Sequence, residues 1–362
     1  MKRSTHIIWM LLSTLLLVAS TSISAQDASN EVTLTLAGFA VPREAYGEII
    51  PLFQAKWLEE TGQTVKFEES YIGSGAQSRN VIGGFEADVV ALSLEDHVTR
   101  IADAGLITHD WQDNPTNGMV SASIVVLVVR EGNPKNIHDW VDVVQPGVEI
   151  ISPNPATAGA AQWYVMGAYG AAYRGFVEGY EANEEGALQF LTDVYTNVSV
   201  MDADGRESFL TFERGIGDVA TTYENEYYAG ILAGGTGYEV VYPTSTILIE
   251  NPIAVVDAYV DKHGVRDVAE AFVEFTLTPE AQAIFAKHGF RSPHLREVVE
   301  PEDGEGEPVI KLIPLAEQDE EKFPTPVDLW PIDVFGGWPE VVPTFFGDEG
   351  IYTKMIAEVK GQ

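Results

Sequence analysis

Three times along this chain, a β-rich run ends in a loop of small residues that opens a helix. The loops are Gly73-Ser74-Gly75, Ala156 to Ala160 and Asp202 to Gly205. The first N–H groups of a helix have no partner within the helix and lie at the positive end of its dipole, and small residues let an anion approach them. If the loops converge, they form an oxyanion site that needs no cationic side chain.

Strands and helices alternate around these loops, which predicts an α/β fold with a mainly parallel sheet. The β-branched run Ser123 to Val129 is typical of a strand buried on both faces, and Ile253 to Val256 is a second apolar strand. Helices are predicted near Gln77 to Phe85 and over Gln162 to Tyr173. In open α/β sheets, ligands bind at the carboxyl edge, where all three loops are expected.

The sequence also predicts the local structure of two further segments. Pro51 lies inside a helical pattern that ends at Thr61-Gly62, so we expect a kink or a fresh helix start there. The segment from Val298 to Pro308 is rich in Glu, Asp, Gly and Pro and is predicted to be an exposed loop.

The composition narrows the possible functions. The chain has 55 acidic residues against 21 Lys and Arg, a formal charge of −34, which argues against nucleic acid and anionic membranes as partners. A local anion site is still compatible with this charge, because surface charges are screened over about 8 Å at physiological salt while N–H groups act at contact distance.

Several kinds of chemistry have no sequence signature here. There are no cysteines, the seven histidines lack metal-ligand spacing, and no Gly-x-Ser-x-Gly motif occurs. Asp202-Ala203-Asp204-Gly205 has the start of a calcium loop but not its later ligands. We therefore expect no enzyme activity, no cofactor and no metal, although a hydrolase triad assembled in space stays an open alternative.

The N-terminus has the features of a secretory signal. Lys2 and Arg3 precede the apolar run Ile7 to Ala19, and small residues follow, so cleavage is expected near Ala25. Residues 1–25 are thus predicted to be a signal peptide and the remaining chain to be periplasmic or secreted. An uncleaved hydrophobic anchor is the alternative.

Taken in order, these segments resemble the periplasmic sulfate- and thiosulfate-binding proteins of ABC transporters, over nearly all of the chain after the signal. The blocks that carry the resemblance are Phe53 to Gly62, Gly73-Ser74-Gly75, Gly132 to Trp140, Pro146-Gly147-Val148, Pro153-Asn154-Pro155 with Trp163, Glu213 to Val219, Glu224-Asn225-Glu226 and Phe335 to Trp338.

The resemblance implies a type II periplasmic-binding-protein fold with the ligand between two lobes. Lobe I would comprise residues 26–120 and 254–330, lobe II residues 121–253, and residues 331–362 would pack across both. It implies a monomer that delivers sulfate, or a similar tetrahedral oxyanion, to an ABC permease. The N–H donors that it implies are those of Ala40, Ser74, Gly159, Ala160 and Gly205.

Three positions depart from the family's side chains. The family's Asp is Ala40, its hydroxyl-bearing Ser is Ala158, and its ligand-facing Trp is Tyr223. Thr157 is a candidate for the missing hydroxyl, and the Tyr223 phenol for the missing indole N–H. Molybdate, tungstate and organic sulfonates therefore remain alternative ligands. A ferric-ion receptor using Tyr223, Tyr227 or Tyr228 is a further alternative.

Overall fold

The fold is that of a computed structural model, which describes residues 30–299 and 309–361. The strands are β1 Glu31–Phe39, β2 Thr64–Ile72, β3 Val89–Ala91, β4 Met119–Arg130, β5 Ile150–Pro153, β6 Val198–Asp202, β7 Val219–Tyr223, β8 Tyr238–Val241, β9 Ser245–Val255, β10 His294–Val299, β11 Val309–Pro314 and β12 Asp328–Trp330. The helices are α1 Arg43–Thr61, α2 Ser74–Ile82, α3 Glu95–Asp103, α4 Gly159–Tyr173, α5 Glu184–Asn197, α6 Gly205–Glu213, α7 Glu224–Leu232, α8 Asp257–His263, α9 Arg266–Thr276, α10 Pro279–Lys287, α11 Trp338–Val341 and α12 Ile351–Lys360.

The main sheet has the strand order β2-β1-β3-β9-β4-β7-β5-β6, with β12 beside β9 and β8 beside β4. Its two flanks are parallel, since β1 pairs in parallel with β2 and β3, and β5 with β6 and β7. The centre is antiparallel, because β9 pairs in that sense with β3 and β4, and β4 with β7. The expected mainly parallel sheet is therefore wrong at its centre, and the sheet is mixed.

The two central strands, β9 and β4, pair with each other and together connect the two flanks of the sheet. β3 pairs with the end of β9 at residues 253–255, whereas β7 pairs with residues 125–129 of β4. Both strands are buried along their length except at Arg130, as their apolar, β-branched sequences predict. The predicted strand Ile253 to Val256 is thus the last part of a longer strand that begins at Ser245.

Helix α1 contains a proline in its interior and is stabilised by packing against the core. It runs unbroken from Arg43 to Thr61 with Pro51 inside it, so the expected fresh start does not occur. Its inner face, which includes Tyr46 and Phe53, is buried, and tertiary packing of this face offsets the hydrogen bond that Pro51 cannot make. Gly62, at φ 71°, ends the helix in the left-handed conformation.

The C-terminal part of the chain packs on the same core. β12 pairs in parallel with β9, and the buried ring of Trp338 meets Trp163 of α4 edge to face at 4.6 Å. Phe345 packs on Tyr169 in the same way, at 4.8 Å. Residues 328–346 thus cover α4, which carries one of the three small-residue loops at its N-terminus.

Two predicted features fall wholly or partly outside the described residues. The predicted signal peptide, residues 1–25, falls within the undescribed residues 1–29, and most of the predicted loop from Val298 to Pro308 falls within the undescribed residues 300–308. Val298 and Val299 belong to strand β10, so the first two residues of the predicted loop are part of a strand. Within the described part of the chain, no helix has the length and apolar character needed to cross a bilayer.

Candidate functional site

The three small-residue loops meet, and each one starts a helix. α2 begins at Ser74 and α4 at Gly159, so both helices start three residues earlier than predicted. α6 begins at Gly205. The sequence patterns missed the first turns of α2 and α4 because those turns contain mainly Gly, Ser and Ala, which have no apolar periodicity. The N-termini of the three helices face one another.

Between them lies a very small cavity, with a volume of about 10 Å³. This is below the roughly 300–1,000 Å³ that is usual for organic ligand sites. The residues on its wall are Phe39, Ala40, Val41, Gly73, Ser74, Ser93, Ala158, Gly159, Ala160, Asp204 and Gly205. No Lys, Arg or His is among them. A site of this size suits a small ion and not a sugar or a peptide.

Five backbone donors on this wall are free. The N–H groups of Ala40, Ser74, Gly159, Ala160 and Gly205 donate no hydrogen bond to any residue within 30–299 or 309–361. Buried N–H groups without a partner are rare in proteins, and several at one point indicate a missing acceptor. These are the five donors that the family resemblance implies, and their role stays a prediction.

The residues that precede the helices leave these donors free. Gly73 and Ala158, which cap α2 and α4, make no side-chain capping bond. Asp204 does cap α6, but its Oδ1 accepts from the N–H of Glu207 at 2.9 Å and leaves that of Gly205 open. The carboxylate of Asp204 therefore caps the helix. This capping role accounts for the aspartate in a segment that is similar to the start of a calcium loop.

Thr157 and Tyr223, the two predicted side-chain donors, do not lie on the cavity wall. The Thr157 hydroxyl donates to the carbonyl of Ala203 at 2.7 Å, so in this structure it does not supply the hydroxyl that Ala158 lacks. Tyr223 is fully buried at the end of β7, one layer behind the wall and near Ser93 and Asn251. Its phenol has no hydrogen-bond partner among the described residues.

Ser74 joins the site to the histidine beside it. Its Oγ accepts from the N–H of Ser93 at 3.0 Å and lies 2.7 Å from Nδ1 of His97, to which it can donate. Burial, followed by the charges of Arg100 and Arg79, lowers the pKa of His97 to about 3. A histidine with this pKa and with cationic neighbours is a poor general base, which argues against a serine-hydrolase triad at this pair.

The tyrosines of the ferric-ion alternative do not come together at the cavity. Tyr228 hydrogen-bonds to Tyr242 at 3.0 Å, and neither Tyr227 nor Tyr228 is on the cavity wall. Burial raises the pKa of Tyr223, Tyr227 and Tyr228, which opposes the tyrosinate form that iron requires. In the described ranges, no three His, Asp or Glu side chains are grouped to hold a metal ion.

Contacts between the two flanks of the sheet close the cavity. Trp163 of α4 donates from Nε1 to the carbonyl of Ser93 at 2.8 Å. Arg206 of α6 reaches across to Glu44 of α1 at 2.8 Å. A Cβ on Gly73 would lie 3.0 Å from the carbonyl oxygen of Thr157, so the first and second loops are in contact.

Three wall residues, Phe39, Val41 and Ser93, were not predicted from the sequence. Phe39 and Val41 adjoin the predicted Ala40, so a wider window around that residue would have included them. Ser93 is different, because it follows the short strand β3 and no small-residue pattern marks it.

Comparisons with known proteins agree with this geometry. The family model described as bacterial extracellular solute-binding protein matches residues 34–291. A sulfate-binding protein of Synechococcus elongatus is 46% identical over 94% of this chain and 91% of its own length. A thiosulfate-binding protein of Escherichia coli is 34% identical over 95% of this chain and 96% of its own. The solved structure of the sulfate-binding protein SubI from Mycobacterium tuberculosis matches with a TM-score of 0.74 and 35% identity, over 87% of this chain and 99% of that one.

Proposed function

This chain belongs to the bacterial extracellular solute-binding proteins, in the group of the sulfate- and thiosulfate-binding members, and from that premise we propose that it captures sulfate or thiosulfate outside the cytoplasm and delivers it to the permease of an ABC importer. The observation that carries this proposal is the set of five free backbone N–H groups on one small cavity. The chain acts by binding and release, without catalysis.

A site built from hydrogen-bond donors favours an anion that carries no proton. Sulfate is fully ionised at neutral pH and needs donors only, whereas monohydrogen phosphate also needs an acceptor for its proton. The one carboxylate on the wall, that of Asp204, already accepts from Glu207. Ala40 contributes a methyl group where the family has an Asp. The site therefore favours sulfate over phosphate.

The two-lobed arrangement is proposed with the boundaries given by the resemblance. Lobe I comprises residues 26–120 and 254–330 and lobe II residues 121–253, with 331–362 packed across them. The crossing strands β4 and β9 support this division, since β9 lies beside one flank of the sheet, β4 lies beside the other, and the two pair with each other. The closed contacts around the cavity are then the ligand-bound arrangement of the lobes, and ligand binding stabilises it.

Titration calorimetry of a purified chain that starts at Gln26 tests the function. The protein is first unfolded and refolded to remove any carried-over anion, and is then titrated with sulfate, thiosulfate, molybdate, phosphate and a small organic sulfonate. We expect tight binding of sulfate or thiosulfate and weak binding of phosphate. A preference for molybdate or a sulfonate would redirect the ligand assignment, and absence of binding to all five would refute the proposal.

A further inference from the structure

Ser93 lies on the cavity wall. Its backbone N–H and carbonyl both make hydrogen bonds, but its side-chain hydroxyl makes none among the described residues. Its N–H donates to Ser74 Oγ at 3.0 Å, and its carbonyl accepts from Trp163 Nε1 at 2.8 Å. These two bonds fix the residue between α2 and α4. Its side chain is fully buried, and Oγ has no hydrogen-bond partner among the residues that the structure describes.

The hydroxyl is directed at the N-terminus of α4. A Cβ built on Gly159 would overlap Ser93 Oγ, so this oxygen lies directly against the first residue of that helix. Gly159 also carries one of the five free N–H groups. The hydroxyl and the backbone donors therefore face the same small space.

The other hydroxyl on the cavity wall, that of Ser74, is already engaged, and so is that of Thr157 in the adjoining loop. The phenol of Tyr164, near Gly205, also has no partner among the described residues, but it is not on the wall. Ser74 Oγ contacts His97 Nδ1, and Thr157 Oγ1 donates to the Ala203 carbonyl. Ala158 has no hydroxyl at all. An unpaired buried hydroxyl is destabilising, and such groups in proteins call for a specific explanation. An acceptor in the cavity provides one.

We propose that Ser93 is a side-chain ligand of the bound anion, donating its hydroxyl proton to one anion oxygen from lobe I. It thereby takes the part that Thr157 was predicted to play, on the opposite wall from Ala158. This inference rests on the proposed function, because the acceptor is the captured sulfate or thiosulfate.

Tyr223 has a place in this arrangement as a positioning residue. Its phenol is buried, lies near Ser93 and has no partner among the described residues. Burial raises its pKa far above the usual value, so it stays protonated and remains a donor. In the proposed anion complex, Tyr223 donates to Ser93 Oγ, a bond that the described structure does not contain, and so orients the serine hydrogen toward the anion. Tyr223 then contributes through Ser93 and not by contact with the ligand.

Calorimetry with sulfate and thiosulfate on variants of the whole mature chain tests the inference. Ser93→Ala is expected to weaken binding of the preferred anion roughly ten- to a hundredfold, the usual worth of a hydrogen bond to a charged group. Its thermal midpoint without ligand is expected to stay the same or rise, because an unpaired buried hydroxyl has been removed. If Ser93 had a merely structural role, its replacement by alanine would lower the thermal midpoint instead.

Ser123→Ala is the matched control. Ser123 is also fully buried with an unpartnered hydroxyl, but it lies in β4 and not on the cavity wall. Its removal is expected to leave the anion affinity within about twofold of the unaltered chain. Equal affinity of the Ser93→Ala variant and the unaltered chain, or equal losses in both variants, would overturn the role of Ser93 while leaving the proposed function intact. An unaltered chain that binds no anion would overturn both.

A double-mutant cycle tests the role of Tyr223. Tyr223→Phe is expected to weaken binding less than Ser93→Ala does, and to have no further effect when Ser93 is already alanine. Additive losses would show that Tyr223 acts independently of Ser93 and would overturn the positioning role.

Discussion

At the scale of single residues, the site has no cationic side chain on the cavity wall but places an ion pair just behind it. Arg206 follows Gly205, and its Nε lies 3.3 Å from Oε2 of Glu226, which is fully buried. Burial raises the pKa of Glu226 to about 7, against the opposing effect of Arg206. The ion pair therefore titrates near neutral pH, one residue away from a proposed anion donor.

This raised pKa predicts a dependence of stability on pH. Between about pH 4.5 and 7 the folded chain holds a proton on Glu226 that the unfolded chain has released, so this residue's contribution lowers the free energy of unfolding as pH rises. Glu226→Gln removes that contribution. Its free energy of unfolding, relative to the unaltered chain, is expected to increase by roughly 1–3 kcal/mol from pH 5 to pH 8.

Urea unfolding of both proteins at pH 5 and pH 8 measures this difference. Glu250, which is buried and has a pKa of about 7 as well, is present in both proteins and so cancels in the comparison. A difference that does not change with pH would contradict the raised pKa of Glu226.

At the scale of elements, the N-termini of helices supply the proposed anion donors, and side chains on the helices link the two proposed lobes. α6 supplies the N–H of Gly205, and its next residue, Arg206, also pairs with Glu44 on α1 of the other lobe. Glu44 is half exposed, and exposed ion pairs contribute only about 0.2–1 kcal/mol. This pair is therefore a weak link between the closed lobes, which suits a protein that must release its ligand.

Breaking this link is expected to accelerate ligand release slightly. Glu44→Gln should raise the dissociation rate of the bound anion, by no more than about fivefold. Glu48→Gln is the matched control, since Glu48 lies on the same helix but pairs with Lys287, which belongs to the same proposed lobe. Stopped-flow displacement measures both rates. Equal rates for the two variants would argue that the Arg206 contact does not act in closure.

At the scale of the whole molecule, the two crossing strands connect flanks that otherwise touch around the cavity and through the C-terminal segment. Movement at β4 and β9 can separate these flanks without breaking either parallel half of the sheet. In the proposed closure, the described structure, in which Trp163 bonds to Ser93, corresponds to the closed arrangement.

Small-angle scattering is expected to show this motion. The chain freed of anion should have a larger radius of gyration than the closed structure, and sulfate at saturating concentration should reduce it. Phosphate at the same concentration serves as the control and should leave the radius unchanged. An unchanged radius in the presence of demonstrated sulfate binding would rule out lobe closure.

The sequence predicts the α/β class and the three loops because both depend on local patterns. Gly205 could be located this way, since an Asp cap and small residues mark the start of α6. Ser93 could not be located, because its importance comes from a contact with Gly159, 66 positions later in the chain. The antiparallel centre of the sheet was missed for the same reason, since strand direction is decided by long-range pairing and not by composition.

The central claim is that backbone N–H groups hold the anion, and Gly205 offers the most direct measurement. Gly205→Pro removes one donor at the first helical position, where proline is well tolerated and the preceding Asp204 is already extended, whereas Gly205→Ala retains the N–H. A Cβ at this position would lie 3.3 Å from the Cβ of Ala160, a tight contact that requires a shift of a few tenths of an ångström, and both variants carry it. Calorimetry should show sulfate bound roughly ten- to a hundredfold more weakly by the proline variant than by the alanine variant. Equal affinities in two folded variants would contradict the account.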